Sequence, residues 1–383
     1  MKKIMLSLLL LLLCIVLRPM TLLAADMGKN KTGAAILETQ LDNLPLKDVD
    51  QILRDNDAGI AKGLSFQELV MKAISGQLDL SPQGIIKAIG KVFFGELQAL
   101  LSLIRNMLLI SILSAFIHNL SLSLKHKEVS ELGFYISYLV MIILLISSFH
   151  ICVEVMHGMV NILCGVMQAA LPAMLTLLAI SGNPGSAYVF HPVLIFVVNV
   201  LSAFVRDYIV PVIIFAAMLQ LVNSISEQEP LQKMAELMKD GISWILKGVA
   251  VLFIGIVSLQ GISTPIVNNA VTKSAKAAIG VVPVVGQALS GAVDTVLFWS
   301  SAAKSGVMVA VVVVLLLVCA VPVLKLAAFV VVFKVTAALI QPISDPRLVK
   351  AVDSLGSFMG VLLGVCVTVA VLFIFMTMVM LSL

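Results

Sequence analysis

Charged residues are scarce in this chain. Asp, Glu, Lys and Arg together make up only 12% of its 383 residues, and aromatic residues make up 6%. Soluble domains carry about 25% charged residues, so this composition excludes an ordinary soluble globular protein. The formal net charge is +4 and the basic residues are spread along the chain, which argues against a nucleic-acid partner.

Enzyme motifs are also missing. The sequence contains no HExxH, no Gly-x-Ser-x-Gly, no Walker A lysine and no glycine-rich dinucleotide-binding pattern. Four histidines lie in or at the ends of apolar segments without a surrounding set of carboxylates, which indicates interior or interface positions: His118, His150, His157 and His191. We therefore predict no catalytic residues, no cofactor and no enzymatic activity.

Cysteine is rare, with five residues in the whole chain. Four of them lie in apolar runs and lack the CxxC or Cys/His spacing of a metal site: Cys152, Cys164, Cys319 and Cys366. The sequence predicts that these four are small apolar core residues, because an unpaired cysteine packs like a small hydrophobic side chain. No metal site is predicted.

Apolar residues, in contrast, make up 60% of the chain. Several apolar runs reach the ~20 residues that cross the hydrocarbon core of a bilayer, so we predict an all-α polytopic membrane protein. About seven spans are expected, at 97–124, 132–156, 159–181, 189–226, 242–262, 306–340 and 356–383. The runs 189–226 and 306–340 are too long for one upright span, which predicts kinked or broken helices and leaves eight or nine spans open.

The N-terminal 96 residues differ from the rest. Residues 1–25 have two lysines, then a short apolar run and then a cleavage region with small residues, which is typical of a signal peptide. Cleavage near Ala25 is the favoured outcome, and an uncleaved anchor is the alternative. Residues 26–96 are mixed and charged, with a capping box at Ser65–Glu68 and a helix start at Ser81-Pro82. We predict a small exported helical domain there, followed by a membrane domain over 97–383.

Basic residues between the runs predict the orientation. Lys125 and Lys127 favour the cytoplasm after the first span, whereas the predicted turn at Glu154–Gly158 lacks lysine and arginine and suits the outside. A loop that contains Lys273, Lys276 and Lys304 is then cytoplasmic. This pattern agrees with an N-terminal domain outside the cytoplasm.

A few charges lie deep inside the apolar runs, where burial costs at least ~2.5 kcal/mol. Arg206, Asp207 and Lys325 are the main examples, and each indicates either a packed ion pair or a polar cavity. Arg206 and Asp207 are neighbours in the sequence and point in different directions on an α-helix. We therefore expect each of them to find a partner elsewhere.

Residues 276–301 are apolar but punctuated by glycine and proline. Gly280, Pro283 and Gly286 predict a break, and a helix follows. At 3.6 residues per turn, one side of this helix carries a narrow polar stripe: Gln287, Ser290, Gly291, Asp294 and Ser301. The helix is expected to re-enter the membrane or line a wet space, and packing between copies or an interfacial position are the alternatives.

The same segment carries a family resemblance. Lys276-Ala277-Ala278-Ile279-Gly280, Pro283-Val284-Val285-Gly286, Leu289-Ser290 and Asp294-Thr295-Val296-Leu297 resemble the stage III sporulation protein AE family, and the likeness in length and layout covers essentially the whole chain. It implies a mother-cell membrane location around the forespore. It also implies an oligomeric, secretion-like transenvelope complex, assembled with proteins of the same operon and a forespore membrane partner, in which a separate ATPase supplies energy. The resemblance transfers no catalytic residues.

Three functions are compatible with these features. The leading hypothesis is a non-enzymatic subunit of a sporulation channel that links mother cell and forespore and supports late forespore development. A stand-alone secondary transporter of a small solute is the first alternative, because broken helices often surround a midplane site. A purely structural membrane scaffold is the second.

The polar stripe at 287–301 generates a first prediction. Asp294→Ala removes its only charge and Gly286→Leu fills the predicted break, so both variants should lower spore yield and recovery of the membrane complex. Wild-type sporulation by both variants would contradict a functional role for this segment.

Overall fold

The computed structural model describes residues 49–52, 65–74, 82–123, 127–181, 184–226, 230–279 and 285–382, and the side chains of 121–130 and 258–299 lie outside this description. Residues 49–52 are helical. The longer elements are α1 (Phe66–Ile74), α2 (Pro82–Ala99), α3 (Leu101–Ser123), α4 (Lys127–Ile180), α5 (Pro184–Phe204), a π-helical turn (Val205–Ile209), α6 (Val210–Asn223), α7 (Gln232–Ile279), α8 (Val285–Ile340) and α9 (Pro346–Ser382). No strand occurs in these ranges, which confirms the all-α prediction.

Helix starts follow the capping signals in the sequence. The Glu68 amide donates to Ser65 Oγ at 3.1 Å, which is one half of the predicted capping box. Before α9, Asp345 Oδ1 accepts a 2.8 Å hydrogen bond from the Arg347 amide, and Pro346 occupies the first helical position. The Arg347 guanidinium also binds the same carboxylate, which fixes the entry into α9.

The longest helices pack side by side in a bundle. α8 and α9 are joined by a short turn and pack along each other, and α4 packs against both. α5 and α6 return along α4, since Gln168 on α4 contacts Asn199 on α5 and Tyr138 Oη donates to the Leu221 carbonyl at 2.6 Å. α7 packs against α5, α6 and α9, while α3 packs on α4, and α1 and α2 on α8.

Six helical stretches in the described part of the chain are long and apolar enough to cross a membrane: Ile86–Ile117, Glu131–Ile180, His191–Asn223, Gln232–Val257, Ser300–Ile340 and Pro346–Leu381. They confirm a polytopic helical membrane protein. The predicted number of seven spans stays a prediction, because length and composition do not fix which stretches cross.

The predicted turn at Glu154–Gly158 is wrong. α4 runs through it without interruption for 54 residues, or about 80 Å at ~1.5 Å per residue. The dip in hydropathy that suggested a turn affects one face only, because Val153, Met156 and Val160 remain buried against neighbouring helices. A single Gly158 does not end a helix whose opposite face is so well packed.

The two overlong runs are not divided into pairs of short helices. The run 306–340 belongs to a single continuous helix, α8, which contains Pro322. The run 189–226 is interrupted only by the π turn, followed by Pro211 in the first turn of α6. Over the described residues, the run 306–340 is one continuous helix and the run 189–226 is interrupted by a π turn without a separating loop, and whether these helices are kinked stays a prediction.

The position of Lys304 contradicts the predicted cytoplasmic loop. This lysine lies within α8, and its side chain is only 5% exposed. Its neighbours Ala302, Ala303 and Gly306 are small and buried, so other elements approach the helix closely there. Positive charge alone suggested a loop, whereas the surrounding small residues indicate helix packing.

α8 and α9 make a close contact at Gly356. A methyl group built on Gly356 would lie 2.9 Å from Phe333 Cβ, whereas one on Gly360 would have nothing within 4 Å. Gly356→Ala should therefore push the two helices apart and cost ~1–3 kcal/mol, against a helix-propensity gain of at most about 1 kcal/mol.

Gly360→Ala is the matched control, because it gains the same propensity without a contact. Thermal unfolding in detergent should show a lower midpoint for Gly356→Ala than for Gly360→Ala. Equal midpoints, or a higher midpoint for Gly356→Ala, would mean that the close approach at Gly356 does not stabilise the packing of α8 on α9.

Candidate functional site

The exposed face of α4 changes character halfway along the helix. From 132 to 146 it carries large apolar side chains, namely Leu132, Tyr135, Ile136, Leu139, Val140, Ile143 and Ile146. From 152 to 179 no large apolar side chain is exposed, and the exposed residues are Glu154, Asn161, Gln168, Pro172 and Thr176. The first half suits lipid, and the second half does not.

These polar residues follow the helical repeat. His150, Glu154, His157, Asn161, Gln168 and Thr176 are spaced by three, four, seven or eight positions and fall on one side of α4. We call this set the α4 polar stripe. It extends over 26 residues, or about 39 Å at ~1.5 Å per residue. His150 Nε2 lies 3.2 Å from Glu154 Oε1, and these side chains are 70% and 65% exposed.

α5 continues the polar surface. Gln168 Nε2 donates to Asn199 Oδ1 at 2.7 Å, and Asn199 Nδ2 donates to the Ile195 carbonyl at 2.9 Å. Asn199 is itself exposed, so the two amides lie side by side at the outer surface. Amides on apolar helices usually hydrogen-bond to other helices or to water, because hydrocarbon offers no partner.

The π turn places the Arg206–Asp207 pair beside the stripe. The Val210 amide donates to the Val205 carbonyl five residues back, which widens the turn. Arg206 Nε donates to Asp207 Oδ1 at 2.7 Å, and the two side chains are 51% and 50% exposed. Asp207 lies within electrostatic range of His157 on α4.

This geometry corrects the expectation that Arg206 and Asp207 need separate partners. Successive residues in a π turn are rotated through a smaller angle than in an α-helix, so adjacent side chains reach each other. The predicted ion pair exists, but it forms between the two neighbours.

The stripe and the ion pair are incompatible with acyl chains. A single charged side chain at the bilayer centre costs at least ~2.5 kcal/mol, and half-exposed charges and amides here would add to that cost. No described residue covers them. This surface therefore needs water or a polar protein surface against it.

The residues predicted from the sequence have different outcomes. Residues 280 to 284, with Gly280 and Pro283, lie outside the described residues, as do the side chains of Gln287, Ser290 and Asp294. Gly286 and Gly291 lie within α8, so Gly286 belongs to the helix and not to the predicted break. The predicted helix is present from 285 onwards, and the direction of its polar edge stays a prediction. Ser301 is exposed, and its carbonyl accepts a 3.0 Å hydrogen bond from Ser305 Oγ.

Lys325 and the cysteines lie in the bundle interior. Lys325 is partly buried on α8, within electrostatic range of Cys152 on α4. Cys152, Cys319 and Cys366 are buried and Cys164 is partly buried, which confirms that they are core residues. His150 is exposed on the α4 polar stripe and not interior, so of the two predicted positions the interface stays a prediction for it.

Sequence reasoning missed the α4 polar stripe because each polar residue was considered alone. The signal was present as a helical repeat of polar residues from 150 to 176. It was hidden because the predicted turn at 154–158 divided it between two spans.

Two lysines on α8 have opposite environments. Lys334 Nζ donates to Asp353 Oδ1 at 2.7 Å, to Ser357 Oγ at 2.7 Å and to the Asp353 carbonyl at 3.1 Å. Lys304 has no carboxylate partner among the residues that the structure describes, although it is nearly fully buried. An intramembrane cation of this kind is costly and is usually kept for function.

We predict opposite stability changes on replacing the two lysines. Lys304→Met removes a buried cation that has no carboxylate partner among the described residues and should raise stability by roughly 1–4 kcal/mol. Lys334→Met leaves Asp353 without its counter-charge and should lower stability. Thermal unfolding of both variants in detergent checks the signs, and a loss of stability in Lys304→Met would show that this lysine is satisfied.

Comparison with known proteins places the chain in a family. The model of the family described as stage III sporulation protein AE matches residues 64–383. A curated relative, stage III sporulation protein AE of Bacillus subtilis (strain 168), is 29% identical over 285 residues, which cover 74% of this chain and 71% of the relative. No solved structure matches. Since the family model spans most of the sequence, this chain is a member of the stage III sporulation protein AE family.

Proposed function

We propose that this chain is a non-enzymatic membrane subunit of a sporulation-specific transenvelope channel that links mother cell and forespore. In this proposal it resides in the mother-cell membrane around the forespore, with its N-terminal domain outside the cytoplasm. Its partners are further copies, proteins of the same operon and a forespore membrane protein. Its role is to supply part of the wall of an aqueous passage that late forespore development requires.

One observation carries the proposal. Between 152 and 179, α4 exposes polar side chains and proline but no large apolar residue, although its buried face is as apolar as that of any membrane helix. A surface that is apolar towards the bundle and polar outwards is the arrangement that a water-facing wall requires. Family membership supports the sporulation context.

The stand-alone transporter is less well supported. Such transporters bind their solute near the midplane, at helices interrupted within the protein. Here α8 is continuous through Pro322, and the π turn places Arg206 and Asp207 at the outer surface. The purely structural scaffold differs from a channel wall in one respect, because a docked partner would keep water away from the stripe.

Thiol accessibility tests the proposal. Asn161→Cys and Gln168→Cys should react with a membrane-impermeant thiol reagent in membranes isolated from sporulating cells, because both positions lie on the α4 polar stripe. The chain's five native cysteines are replaced by alanine in this experiment.

Leu139→Cys is the matched control. Leu139 lies on the same face of α4 and is 60% exposed, but its neighbours are apolar, so we expect lipid to protect it. Protection of Asn161→Cys and Gln168→Cys to the same degree would contradict an aqueous wall and favour a dry scaffold.

A further inference from the structure

Charged groups along the proposed aqueous wall are few. From 158 to 205 the chain contains no Asp, Glu, Lys or Arg, so Asn161, Gln168, Thr176 and Asn199 contribute only neutral polar groups. The nearby charges are Glu154, which contacts His150, and the Arg206–Asp207 pair.

The Arg206–Asp207 pair is neutral as a unit. Its two side chains are bonded through Arg206 Nε and Nη2, at 2.7 and 3.4 Å to the two carboxylate oxygens, and they are exposed to nearly the same degree. A solute beside the pair therefore meets a cation and an anion at similar distances, and their fields largely cancel. Without the π turn, neighbouring residues would project the two charges in different directions.

Channels that select by charge use a different arrangement. They carry rings of one sign, acidic for cations and basic for anions. Beside Asn161, the described part of this surface has amides and a self-paired ion pair instead, and the Glu154 carboxylate lies further along α4 in contact with His150.

We propose that the π turn holds Arg206 and Asp207 together so that the wall beside Asn161 favours neither small anions nor small cations. This inference rests on the proposed function, since it requires the stripe to be wet. It assigns the π turn a role, which is to hold the two opposite charges together at the surface.

Charged thiol reagents test the inference at Asn161→Cys, in membranes from sporulating cells and with the native cysteines replaced by alanine. Asn161 lies one turn of α4 beyond His157, the residue within electrostatic range of Asp207. The measured quantity is the rate ratio of a trimethylammonium-bearing to a sulfonate-bearing methanethiosulfonate, divided by the same ratio for a free thiol in solution.

With the pair intact, this normalised ratio should lie within about twofold of one. Arg206→Gln leaves Asp207 alone and should raise the ratio about two- to fivefold, whereas Asp207→Asn should lower it by a similar factor. The double variant Arg206→Gln with Asp207→Asn is neutral again and should return close to the original ratio.

Thr176→Cys is the internal control. Thr176 lies 19 residues beyond His157, or about 28 Å along the helix, which exceeds the ~10 Å screening length at 0.1 M salt. Changes in the pair should therefore leave its ratio unaltered, whereas an equal shift at both positions would indicate a change in overall structure and would overturn a local field effect.

The two proposals fail differently. The charge inference is overturned if Asn161→Cys reacts but the normalised rate ratio lies far from one while Arg206 and Asp207 are both present. It is also overturned if Arg206→Gln and Asp207→Asn do not shift the ratio in opposite directions. In both cases the reaction itself still supports the aqueous wall. Absence of reaction with both reagents overturns the proposed function and the inference together.

Discussion

Polar groups in this chain have to be satisfied where water is scarce, and that requirement organises the structure. Backbone groups meet it locally, since a helix bonds its own amides and carbonyls, which explains why the described residues are helical. Side chains meet it in two ways. Serine and threonine hydroxyls bond back to carbonyls four residues earlier, as Ser137 and Thr336 do. Larger polar groups either pair between helices, as the partly exposed Lys334 and Asp353 do, or lie on the outer surface with the α4 polar stripe.

Composition alone predicted the class of fold, because long apolar runs in a chain this poor in charge have few alternatives to membrane helices. It did not predict how the runs divide. A short dip in hydropathy has the same appearance whether it marks a turn or the polar face of a continuous helix. At 154–158 the buried Met156 and the packing of α8 and α9 on α4 decide the matter, and those contacts join residues far apart in the sequence.

The charged residues also show that contacts between distant parts of the chain are not predicted from the sequence. The sequence identified Arg206 and Asp207 as unusual, but it did not predict the π turn between α5 and α6 that makes these neighbours into partners. Lys304 was assigned to a loop because it is a lysine, whereas its burial follows from the small residues beside it. The family resemblance drew attention to residues 276–301, whose side chains up to 299 lie outside the description, and the polar surface among the described residues lies on α4 and α5.

The interior of the bundle bears on where a passage can run. Where α4, α8 and α9 meet, most of the described side chains are buried and apolar, as with Leu163, Phe333 and Phe373, and polar groups such as Lys325 and Thr377 are few among them. Close packing of this kind holds no continuous column of water. In the proposed function, the passage therefore runs along the outer surface of this chain, at the α4 polar stripe. One surface encloses nothing by itself, so the proposed passage needs an opposite wall beyond the described residues, which the proposed assembly supplies.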